Sequence, residues 1–161
     1  MKTIITCAAV AAIGLSGCVT SSGGDTIKAL SPERARAASI GDVVLTAAPT
    51  TVSGEFAALF DRLVTEELAK CAKGSQPLRL EIRLSELKAA NPAMAYLVGD
   101  SNVIRGTAVL RDPATGETVG DYEISRSAGG GGLIAAISMA EAEEQMSRAF
   151  GAELCKRAFA G

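Results

Sequence analysis

Apolar and polar positions along the chain sort most of it into strands and helices before any chemistry is considered. Leu78, Leu80, Ile82 and Leu84 alternate with Arg79, Glu81 and Arg83. A period of two marks a strand with one buried and one wet face. Residues 102–112 read as a second strand, and Asp112-Pro113-Ala114-Thr115-Gly116-Glu117 then supplies turn residues. Residues 117–127 return, which predicts an antiparallel hairpin with a bulge near Gly120. Upstream, residues 40–47 form a short β-rich run closed by Pro49.

Two stretches follow a helical period instead. Phe56, Phe60, Leu63, Val64, Leu68 and Cys71 fall on one stripe, with Lys70 and Lys73 in the last turn and Gly74 as the stop. Met139, Ala142, Met146, Phe150 and Leu154 form the second stripe, with Cys155 at its edge. Ser138 and Glu141 make a capping box at its start. The order β-α-β-β-β-α, with one wet sheet face, predicts an α+β fold. Its expected form is a four-stranded, mainly antiparallel sheet with two helices packed on one face.

The first residues follow neither pattern. After Lys2, residues 3–15 carry no charge, which suits the apolar region of a signal peptide and is too short to span a bilayer. The run ends in Leu15-Ser16-Gly17-Cys18. This motif resembles the lipobox of bacterial lipoproteins. The resemblance implies cleavage before Cys18 and acylation of its thiol and amine. One acyl chain holds a protein only marginally, at about 0.8 kcal/mol per buried methylene, whereas two or three anchor it firmly. Position 19 is Val rather than Asp, and within that resemblance this implies the periplasmic face of the outer membrane rather than the inner. The Ser/Gly-rich start of residues 19–39 reads as a tether of about 20 residues, with an r.m.s. span of about 25 Å. Within it, Ser31 and Pro32 can cap and start a short helix. The expected organisation is a signal peptide at 1–17, a lipidated cysteine and flexible tether at 18–39, and one domain at 40–161. The element order over 40–159 also resembles small periplasmic α+β domains, such as the N-terminal domain of TolB and domains of curli-secretion and penicillin-binding-protein-activator lipoproteins. Such an analogy bears on fold and not on function.

Composition narrows the function classes. There are 16 Lys+Arg and 18 Asp+Glu, no Trp and few other aromatics. That is not the balance of a nucleic-acid binder. There is no histidine, which removes Ser-His-Asp and Cys-His nucleophile activation and imidazole metal sites. The lipobox resemblance implies that Cys7 leaves with the signal peptide and Cys18 carries lipid, so Cys71 and Cys155 remain. In an oxidising periplasm such a pair reads as a disulfide worth about 4.5 kcal/mol in the chain-entropy model. Two free thiols are the alternative.

The remaining motifs are weak. Ser85 and Lys88 match S-x-x-K, but its S-D-N and K-T-G companions are missing. Gly129–Gly132 lack the Lys-Ser/Thr of a phosphate loop. The acidic positions Glu66, Glu67, Glu141, Glu143 and Glu144 read as solvated helix faces. Two uncharged segments, 89–99 and 133–137, exceed what a small core readily buries. Exposed contiguous apolar surface marks a docking site, so Gly130, Gly131, Leu133, Ile134, Tyr96 and Leu97 are the candidate partner-binding residues. Ordinary core packing is the competing account. The expectation is a non-enzymatic component of the cell envelope, without cofactor or metal, bound to the bilayer through Cys18 and to an envelope protein or a second copy of itself. The rival expectation is a small-ligand or lipid-binding module.

Overall fold

The computed structural model describes residues 19–91, 93–94, 100–129 and 139–160. In chain order they form β1 (Val19–Gly23), β2 (Thr26–Lys28), α1 (Pro32–Ala37), β3 (Ala38–Ala47), α2 (Phe56–Leu68), β4 (Gln76–Lys88), β5 (Ser101–Arg111), β6 (Thr118–Gly129) and α3 (Met139–Ala158). From Ala38 onward the expected β-α-β-β-β-α order is recovered.

The α+β class holds, but the sheet has six strands rather than four, in the order β1-β6-β5-β4-β3 with β2 also on β6. The extra strands come from the stretch read as a flexible tether. β1 pairs with β6 from Val19↔Gly129 to Gly23↔Ser125, and β2 continues at Thr26↔Tyr122. Between them Gly24 adopts φ 106°. A Cβ there would lie 2.0 Å from the Glu123 carbonyl oxygen, so only glycine lets the chain cross so close to β6. Ser31 caps α1 as expected, its hydroxyl accepting from the Arg34 N–H at 3.3 Å. Leu30 is buried, and its N–H donates to the Tyr122 hydroxyl at 2.7 Å.

β3 and β4 run parallel because α2 carries the chain across between them; the other pairings are antiparallel. The bulge expected near Gly120 forms, since Leu110 pairs with Gly120 and Arg111 with Thr118.

The inward side chains of β4, β5 and β6 meet both long helices in one apolar cluster that includes Leu80, Ile82, Phe60, Phe150 and Leu154. α2 and α3 lie side by side with their N-terminal ends together. Ser53, just before α2, reaches Glu143 near the start of α3. Phe60 meets Phe150 edge-on at 5.6 Å, and Cys71, just past α2, is bridged to Cys155 with a Cα–Cα separation of 5.9 Å. Gly151 permits this approach, because a Cβ there would lie 2.8 Å from Glu67 Cβ.

Two stability predictions follow from this geometry. Gly24→Val costs about 1–3 kcal/mol of folding free energy, read from urea denaturation, whereas Gly54→Ala, at a position open to space, stays within about 0.5 kcal/mol. Replacing Cys71 and Cys155 together by Ser lowers stability by about 2–5 kcal/mol in the same assay.

Candidate functional site

The two faces of the sheet differ in chemistry. On the inward face the apolar rows of β5 and β6 give way to polar residues towards one end. Asn102 is 3% exposed. Its amide donates to Gln145 at 2.9 Å and its Oδ1 accepts the Ala90 N–H at 2.7 Å. Arg126, next along β6, pairs with Glu153 of α3 at 3.3 Å, and Glu153 also receives Arg157 at 2.8 Å. Arg157 donates to the Gly24 carbonyl at 2.9 Å, which ties the end of α3 to the β1–β2 link. The Arg126 Nε is buried without a hydrogen-bond partner among the described residues. Breaking such a pair by removing one partner strands the other charge, so the layer fixes the seat of α3 on the sheet. Tyr122 lies deeper, and burial pushes its phenol above the ordinary range.

Among the described residues the outward face carries no helix and is laced by ion pairs within and between strands. Glu81 meets Arg111 at 2.8 Å and Arg79 at 3.6 Å; Glu86 meets Arg105 at 2.8 Å. An open depression crosses this face between Gly24, Ser85, Arg105, Thr107, Glu123 and Ser125. It offers hydroxyls, a guanidinium and a carboxylate, which suits hydrogen bonding to a polar surface. Ser85 and Lys88 are engaged separately. The Ser85 hydroxyl donates to the Arg105 carbonyl at 3.3 Å, and the Lys88 ammonium sits on Asp100 at 2.6 Å.

The acidic helix positions divide. Glu66 and Glu144 are exposed and share Arg148, at 3.0 and 3.5 Å. The hydrogen bond from Arg148 holds the Glu66 carboxyl below its usual range, and Glu66 in turn raises Arg148. Glu67 and Glu143 depart from the expected solvated faces: they are 9% and 1% exposed. The Glu143 carboxylate accepts both the N–H and the hydroxyl of Ser53, each at 2.7 Å, because the loop before α2 packs on the first turns of α3. Sequence reasoning also missed Asn102, Arg126 and Glu153. Each sits on the inward parity of its strand or on the buried face of its helix, and a polar side chain breaking an apolar period is the signal that marks them.

Of the residues singled out from sequence, Cys71 and Cys155 are brought together. Cys18, Tyr96, Leu97, Gly130, Gly131, Leu133 and Ile134 lie outside the described residues. Their described flanks converge, because Val19 and Ser101 both pair with Gly129, and Lys88 pairs with Val103. Among the described residues there is no group of three side chains suited to a metal ion, and no helix long and apolar enough to cross a membrane.

Asp100 closes the connection from β4 to β5. The hydrogen bond from Lys88, then the N–H groups of Asn91 and Ser101, lower its pKa from 3.8 to about 2. A depressed carboxyl stabilises the folded form above its unfolded pKa, and that contribution is lost as pH falls through the folded value. The Asp100 clasp therefore persists at pH 3.8 and opens near pH 2. A carboxyl carbon-13 titration places the midpoint there, and Lys88→Met moves it back up towards 3.8.

An open mixed sheet with two side-by-side helices on one face and a bare polar face opposite defines a class of small α+β domain. Solved structures share it. A variant chain of the PelC dodecamer from Paraburkholderia phytofirmans superposes with TM-score 0.52 at 13% identity, over 87% of this chain and 98% of that one. PelC in a second crystal form gives 0.54 at 11% identity, over 88% and 99%. A chain from Caulobacter crescentus CB15, described provisionally as a lipoprotein, gives 0.44 at 17% identity over 70% and 84%, too loose a superposition to carry an argument. No family model and no curated protein matches the chain. At these identities the likeness is one of fold.

Proposed function

We propose that this chain is a lipoprotein of the bacterial cell envelope, acylated at Cys18 and facing the periplasm from the outer membrane, that acts by assembly rather than by catalysis. The observation that carries this reading is a filled interior beside a sheet left open. Phe60, Phe150 and Tyr122 occupy the space between helices and sheet at 0–1% exposure. Among the described residues the outward face is bare and the outer edge of β3 meets only one bridge, Ser39 to Lys73. Open sheet edges and uncovered polar faces are where other chains add. The PelC chains that share the fold were solved as dodecamers, which favours a second copy of this chain as the partner. The absence of histidine supports a non-enzymatic role, and the Cys71–Cys155 bridge suits an oxidising compartment.

Crosslinking in intact cells, followed by mass analysis, tests this. Copies of the chain joined to one another, or one discrete envelope protein, are the expected product. Recovery of the monomer alone, with a small apolar molecule co-purifying, supports the ligand-binding module instead.

A further inference from the structure

Pairing from strand to strand puts residues of the two sheet edges at common levels. Glu123 pairs with Thr107, Thr107 with Arg83, and Arg83 with Ala47. Asp25 shares this level, because its carbonyl accepts the Glu123 N–H at 2.8 Å. Thr26 leads through Tyr122, Ala108 and Ile82 to Leu45. Lys28 leads through Asp121, Val109 and Glu81 to Val44. The Lys28 ammonium reaches one step further, to the Thr118 carbonyl, and Thr118 is level with Arg111, Arg79 and Asp42.

The start of β3 is covered on its outer side. Ser39 bridges to Lys73, and the Gly74 N–H donates to the Ala38 carbonyl at 2.8 Å. Beyond it, no described strand pairs with the outer edge of residues 42–47. From the Ala47 end, this stretch carries Arg83 beside it, then Val44, then Asp42. The β2 edge, taken over the same levels, carries Asp25 and Glu123, then Ile27, then Lys28. The charges are opposite at both ends, with an apolar residue between. Arg83, Asp25 and Glu123 are exposed and without an ion-pair partner among the described residues, and Ile27 is 61% exposed. Lys28 and Asp42 meet Glu117 and Arg79 only at 3.7 Å. Asp121 is half-buried opposite Lys28, and Glu81 is engaged by Arg79 and Arg111. Glu33 and Arg36 before β3, with Glu55 and Lys73 at the two ends of α2, add both signs equally.

We infer that the free stretch of β3 in one copy of the chain receives β2 of the next, head to tail, so that neighbouring copies share one sheet. This rests on the reading that the partner is a second copy. β6 runs with β4 and β3, and β2 runs against β6. Copies turned about an axis along the strands therefore bring β2 against β3 antiparallel, the slightly more stable pairing. Asp25 and Glu123 then face Arg83, Ile27 faces Val44, and Lys28 faces Asp42. The same operation keeps Val19 of every copy at one end, as anchoring through Cys18 in one membrane requires. A two-fold contact of β3 with β3 sends the two Val19 residues to opposite ends and leaves Ile27 uncovered. Because the two edges differ, each copy leaves one of each unused, and assembly continues into a ring or a filament.

Reversing one charge at each edge tests the junction. Native mass spectrometry over a concentration series counts copies of the full-length lipidated protein in detergent, with Arg83→Glu or Glu123→Arg. The unchanged protein is expected to associate, and each variant alone to do so about tenfold more weakly, because like charges then meet. An equal mixture of the two variants regains the original association, since each carries the edge that complements the other's; a misfolded variant gives no such rescue. A mixture that stays weak, or association indifferent to Glu123→Arg, overturns the inference and leaves the second-copy reading standing on another surface. An unchanged protein that is monomeric throughout removes that reading and the inference together.

Discussion

Two helices share one face of a sheet, and nearly everything else in the molecule answers to that constraint. α2 and α3 bury their apolar stripes against the same inward rows, so they must touch, and Phe60 against Phe150 is where they do. Gly151 allows the approach and the Cys71–Cys155 bridge closes it. The Ser53–Glu143 and Arg126–Glu153 contacts then fix the ends, one between α3 and the loop before α2 and one between α3 and the sheet. With both long helices on one side, the described residues give the other side of the sheet only its own ion pairs for cover. Exposed pairs contribute little stability, so that face is free to vary chemically without cost to the fold.

What was legible in the sequence was legible because burial imposed a period. β4 reads without fault because its alternate residues, Leu78 to Leu84, face the helices. Both helical stripes carry the residues that form the core. β1 and β2 impose no such period. They sit at a sheet edge, held by main-chain hydrogen bonds and small contacts such as Ser21 to Ser127 at 2.6 Å, and a Ser/Gly-rich edge strand cannot be told from a linker by hydrophobicity. The parallel pairing of β3 was hidden for a related reason: direction depends on where a crossover lands and not on the residues that pair. The candidate site was less legible still. Asn102 and Glu153 are polar residues in apolar company, and composition alone does not reveal whether such a residue is a surface interruption or a buried partner.

The sequence motifs that invite a chemical reading fall into two groups. Those on described residues are accounted for by structure: Ser85 and Lys88 serve separate hydrogen bonds, and Glu67 and Glu143 hold neighbouring segments. The uncharged segments acquire their interest from placement instead, since the register gathers their ends beside Val19.

The pairing of β1 has a mechanical corollary. Force reaching the domain through residue 18 enters along the axis of β1, where five residue pairs from Val19↔Gly129 to Gly23↔Ser125 stand side by side. A pull in that direction shears the ladder and loads these bonds in parallel, whereas a pull across it would unzip them one after another. Were residue 18 the point of attachment, tension there would load these five pairs together, and strain would pass through β6 into the centre of the sheet.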